Sequence, residues 1–125
     1  MTACSRRSPA KRWPVPNLWY TRLCKSATKA SGGALLRGWK VAQRRALIAG
    51  LLALPDEVVV VPMRELAWRM GELSAEHNGL STLGAEAIAA ALDLDARILV
   101  SSRDDEPGVR RCAAALGVTY DALPR

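Results

Sequence analysis

No acidic residue occurs among the first 55 positions of this 125-residue chain, which hold eleven Lys or Arg. From Asp56 onward the balance reverses, with seven Lys or Arg against twelve Asp or Glu. The net charge of +6 conceals this division. Such a split points to a polyanionic partner, an acidic protein partner or a metal site on the acidic side, unless the halves neutralise each other within the fold. Other absences narrow the class. No uninterrupted apolar run is long enough to cross a bilayer, so no membrane association is expected. Residues 1–12 are basic but lack the apolar core of a secretory signal. They share the Arg- and Ser-rich composition of transit peptides without their amphipathic helical pattern. The three cysteines, Cys4, Cys24 and Cys112, form no C-x-x-C pair. That speaks against a zinc knuckle or redox couple and makes a reducing cytoplasm the default. Cys24 and Cys112 fall among apolar helix positions and read as small core residues. There is no internal repeat or low-complexity tract.

What is present suits one domain of ordinary size, in which half the residues are apolar. Residues 1–13 read as a disordered basic tail and 14–125 as the folded domain. The two prolines of "WPVP" (13–16) predict an extended segment or the lip of a sheet. Asn17 offers an N-cap for a helix through "LWYTRLCKSATKA", with Leu23, Cys24 and Ala27 inward and "SGG" (31–33) ending it. Leu47, Leu51 and Leu54 share helical spacing before Pro55. "EVVVVP" (57–62) reads as a strand buried on both faces. Leu66, Met70 and Leu73 mark the next helix, and "NGLS" breaks the chain after it. "TLGAEAIAAALDL" follows as a helix with Ala85, Ile88, Ala89 and Leu92 inward. "RILVSS" (97–102) reads as a strand, then comes a helix opened by Pro107 and closed by Gly117. "VTYDAL" (118–123) is the last strand. Helices alternating with short apolar strands predict an α/β three-layer sandwich around a short, mainly parallel sheet.

Ligands of open α/β sheets gather at the carboxyl ends of the strands. Asp104 and Asp105 lie at such an end, and Glu86 opens the helix leading into that strand. If the fold returns Asp104 to the level of Glu86, the two carboxylates suit Mg²⁺ or Mn²⁺, hard ions that prefer oxygen ligands and keep several waters. Such an ion can orient water for attack on a phosphodiester. The plain alternative is an acid favoured by a helix start and acids in an ordinary turn.

The stretch "LSTLGAEAIAAALDLDARILVSSRD" resembles the PIN-domain nucleases, a family that includes bacterial toxin ribonucleases. In that family an acid opens an Ala-rich helix and another follows the next strand. Glu86 and Asp104, eighteen residues apart, stand at those positions. "ALGVTYDAL" is similar to the family's closing helix and strand, and "VPNLWYTRL" to its early helix. The resemblance spans roughly residues 14–123. It implies an Mg²⁺-dependent endoribonuclease of the cytoplasm, with Glu86 and Asp104 as metal ligands and catalytic groups, and Asp105 assisting. It also implies RNA as substrate and an antitoxin-like protein or a second copy as partner. The departures are specific. Nothing upstream of Val15 matches the family's first strand with its Asp, and Thr21 or Arg22 stands where an early Glu belongs. Two of four acidic positions are therefore vacant, as in a degenerate or N-terminally incomplete member. With the middle strand missing, the other strands close up, residues 13–16 partly substitute, a second chain supplies the strand, or the true start lies upstream. The alternative function is a non-catalytic remnant that binds nucleic acid or protein through its basic half.

That half interleaves Trp13, Trp19 and Trp39 with cations. Aromatics can stack on single-stranded bases while cations contact phosphates. "GWKVAQRR" is the candidate segment, with Arg37, Lys40, Arg44 and Arg45 as the nucleic-acid-binding residues. Trp19 is expected in the core, and Trp13 and Trp39 fit either role. His77, the single histidine, suits a helix C-terminus.

Overall fold

The computed structural model describes residues 12–29 and 36–124. The expected tail up to Lys11 and the "SGG" helix stop lie outside them. Contacts divide the chain into two compact units, Met1–Val61 and Pro62–Arg125. Both are mixed α/β, and both are built round a pair of parallel strands joined through helix.

In the first unit, β1 (Trp13–Pro16) leads without a loop into α1 (Asn17–Thr28). Then come α2 (Val41–Leu52) and β2 (Val58–Val61), which pairs with β1 from Trp13↔Val58 to Pro16↔Val61. Trp13 thus belongs to a strand and not to the tail. The Trp13 N–H donates to the Glu57 carbonyl at 2.6 Å. Donors alternate between the two sides of a strand. Pro14 and Pro16 therefore fall on the side away from β2, where their missing N–H groups close that edge to further pairing. Asn17 proves to be the first helical residue and not its cap. Pro16, extended at φ −62° and ψ 147°, takes the cap position and has no side-chain acceptor to offer. Ala27, Leu36 and Leu51 form the core, with Tyr20, Leu23, Cys24 and Leu47 packed on it. The Tyr20 hydroxyl donates to the Leu51 carbonyl at 2.8 Å, tying α1 to the end of α2. β2 was expected to be buried on both faces. Val59 is instead exposed, while Val61, on the same face of the strand, is buried and Val58 and Val60 are half-buried.

The second unit is α3 (Met63–Glu76), α4 (Thr82–Leu94), β3 (Ile98–Ser101), a 3₁₀ turn (Ser102–Asp104), α5 (Pro107–Leu116) and β4 (Tyr120–Leu123). Leu66, Met70 and Leu73 are buried on one stripe of α3, as their spacing predicts. His77 is the C-terminal cap, its N–H donating to the Leu73 carbonyl. α4 is buried from Gly84 through Ala91, far more than an amphipathic stripe. Its alanines let neighbouring elements approach closely. A Cβ at Gly84 would lie 2.5 Å from the Val109 Cγ2 of α5, so only glycine fits that crossing. β3 and β4 pair in parallel from Ile98↔Tyr120 to Ser101↔Leu123. Gly117 closes α5 in the left-handed region at φ 73°. Ile88 and Ala113 have no exposed surface, and Cys112 is buried, where desolvation pushes its thiol pKa up.

The α/β class is thus observed. Among the described residues, however, the strands form two separate parallel pairs, β1–β2 and β3–β4, instead of one continuous sheet.

Candidate functional site

Glu86 lies in the first turns of α4, where Ser81 starts the helix by accepting a hydrogen bond from the Gly84 N–H at 2.9 Å. Gly84 to Ala91 are all buried, and Glu86 among them has 0% exposed surface. A carboxylate removed from water is costly to keep charged, so its surroundings are part of its chemistry. Asp104 ends the 3₁₀ turn that follows β3, at the carboxyl end of the strand, and is half-buried. Mg²⁺ keeps several waters in its shell, so its ligands need solvent beside them. Asp104 has solvent; Glu86 does not. Among the described residues no three His, Cys, Asp or Glu side chains are grouped to hold a metal ion.

Asp105 has a different task. Arg110 Nη2 donates to its Oδ2 at 2.8 Å, and the Tyr120 hydroxyl donates to its Oδ1 at 3.0 Å. The Arg110 bond, seconded by that from Tyr120, holds the Asp105 carboxyl below its ordinary pKa against the opposing effect of burial. The Arg110 guanidinium also lies 5.0 Å from the Tyr120 ring centre. The Glu106 N–H donates to the Tyr120 oxygen at 3.2 Å, and Ser81 Oγ donates to Glu106 Oε2 at 3.1 Å. One polar chain thus runs from the start of α4 through residues 105 and 106 to β4 and α5. It fixes the loop that carries Asp104. Tyr120, Arg110 and Ser81 were not foreseen as its members, because the pairs are fourteen to twenty-five residues apart or local without a motif.

A concavity of about 480 Å³ opens at the other end of β3 and β4. Ala91, Asp95, Arg97, Leu116 and Thr119 help to line it. It lies at the amino ends of the strands, away from Asp104.

The four predicted cations belong to the first unit. Leu36 to Trp39 form a turn closed by Trp39 N–H to the Leu36 carbonyl at 3.1 Å, with Gly38 at φ 84°. Positive φ at the third position is what a type II turn requires, and glycine supplies it without strain. Arg37 and Lys40 are exposed on this turn, and Trp39 between them is 44% exposed. The Lys40 N–H donates to Gln43 Oε1 at 3.0 Å, opening α2. Arg45 is exposed on the first turns of α2. Arg44 is half-buried, and its Nη2 donates to the Lys29 carbonyl, so it joins two segments. Of the other tryptophans, Trp19 is half-buried under the Arg22 guanidinium at 5.2 Å, while Trp13 and Trp68 are 51% and 83% exposed.

Comparison with protein-family models, with curated proteins and with solved structures finds no match to this chain. Among the described residues, no helix is long and apolar enough to cross a membrane.

Proposed function

We propose that the chain is a non-catalytic binding module that holds single-stranded RNA on the cationic surface of its N-terminal unit. The observation that carries this reading is the turn at 36–39, which presents Arg37 and Trp39 to solvent immediately before Lys40. A cation beside an exposed ring can grip a phosphate while the ring stacks on a base. The placement of charge supports it further. α2 has no acid in its first turn and no cation in its last. Its cations sit at its start, the reverse of what the macrodipole favours. Charges placed against helix stability are explained by an anionic ligand.

The acids support catalysis less well. Glu86 lacks the solvent that a hydrated Mg²⁺ needs, and Asp105 is engaged by Arg110 and Tyr120. On this reading the PIN-like features at Glu86 and Asp104 are the remains of a nuclease scaffold. The test incubates the full chain with an end-labelled single-stranded RNA and Mg²⁺ or Mn²⁺. Retained RNA of unchanged length is expected. Metal-dependent shortening that Glu86→Gln and Asp104→Asn both abolish would overturn the reading and restore an endoribonuclease.

A further inference from the structure

Helix α2 carries apolar side chains on more of its circumference than its own unit buries. Leu47 and Leu51 face the core with Tyr20, Leu23 and Leu36. Roughly a third of a turn away, Val41, Arg45, Ile48 and Leu52 follow one another at the spacings that align side chains along a helix. Val41 is 65% exposed, Ile48 36% and Leu52 84%, and Arg45 is exposed among them. Scattered apolar residues on a surface need no explanation, but an aligned row is the pattern by which one helix grips another.

We propose that this row docks an amphipathic helix of a partner protein whose apolar stripe is flanked by carboxylates. Charge decides between the occupants. Arg45 lies within the row and Lys40 borders its first residue, and the helix sequence "VAQRRALIAGLL" contains no acid. A second copy laid antiparallel on the same row would set Arg45 opposite Ile48 on each side, placing two unpaired guanidinium groups in one apolar contact. RNA has no use for the aliphatic Ile48 and Leu52 at the far end of the helix. Carboxylates flanking an apolar stripe would pair with Lys40 and Arg45 and also offset the cations at the start of α2. This interaction shares Lys40 with the proposed RNA surface, whose other groups, Arg37 and Trp39, lie on the turn at 36–39.

The test titrates the full chain with a synthetic helical peptide bearing leucines at i, i+4, i+7 and i+11 and glutamates beside them. Amide shifts and peptide anisotropy are followed. Saturable binding with shifts along Val41–Leu52 is expected. Leu52→Glu and, independently, Val41→Glu should each weaken it about tenfold or more. Both sites are exposed, so an unchanged melting profile is expected for each. Arg45→Glu should move the preference from the Glu-flanked peptide to a Lys-flanked one. Equal binding of a scrambled peptide would overturn the proposal, as would affinity unchanged in both Glu variants. So would a wild-type dimer in sedimentation that Leu52→Glu dissociates, since the row would then be covered by a second copy.

Discussion

Both units contain a parallel strand pair joined through helix, yet they place their apolar residues differently. The C-terminal unit buries Leu66, Met70, Leu73, Ile88 and Val109, and it secures helix ends with Ser81 and Gly117. Its loop at 105–106 is tied to β4 and α5 by Tyr120 and Arg110. The N-terminal unit holds a core of Ala27, Leu36 and Leu51, starts α1 without a side-chain acceptor, and leaves Trp13, Trp39, Val41, Ile48 and Leu52 exposed. The C-terminal unit exposes Trp68, Leu94, Leu116 and Leu123 but packs α4 inside from Gly84 through Ala91. The other presents a surface, and its charges oppose its own helix dipole. On the proposed reading, binding belongs to the first unit, and the larger buried core belongs to the second.

The largest effect that could break this contrast is a cavity. Ile88→Ala removes methylenes from a side chain with no exposed surface and is expected to cost about 2–5 kcal/mol in denaturant unfolding. Leu52→Ala, on the exposed row of α2, should stay within about 0.5 kcal/mol of wild type. Similar losses from both would mean that α2 is covered and the contrast is false.

A smaller effect tests the polar chain of the second unit. Ser81→Ala removes the acceptor for the Gly84 N–H and the donor to Glu106, and should lower stability by about 1 kcal/mol. No loss on thermal melting would show that water serves α4 equally well.

The smallest is visible only in acid. The folded pKa of Asp105 lies below its unfolded value, so its stabilisation is present above the unfolded pKa of about 3.9 and is lost as pH falls through the folded one. Melting temperature measured from pH 6 to pH 2 should therefore fall less steeply in Asp105→Asn than in wild type. Parallel curves would remove Asp105 from the account.

The same contrast explains what could be read in advance. α3 and α5 were legible because Leu66, Met70 and Leu73 repeat at helical spacing and because Pro107 and Gly117 mark a beginning and an end. The start of α1 misled, since Asn17 has a capping side chain but follows a proline that already holds the extended cap conformation. Strand positions were local signals; strand partners were not. Nothing in "VVVV" or "ILVS" names a strand's partners, so one sheet was expected where the described residues form two pairs. Glu86 and Asp104 were visible as a spacing, whereas the complete burial of one and the half-exposure of the other depend on packing across the unit. The claim on Asp105 by Arg110 and Tyr120 is likewise a product of the fold.

The most direct measurement is the affinity of a labelled single-stranded RNA over a range of salt, compared between wild type and Arg37→Ala/Lys40→Ala. Binding through phosphates releases counterions, so log K should fall linearly with log salt. Losing two contacts should make that slope shallower by roughly 1.4 units. A slope that the double substitution leaves unchanged, or binding indifferent to salt, would contradict an RNA surface at the turn preceding α2.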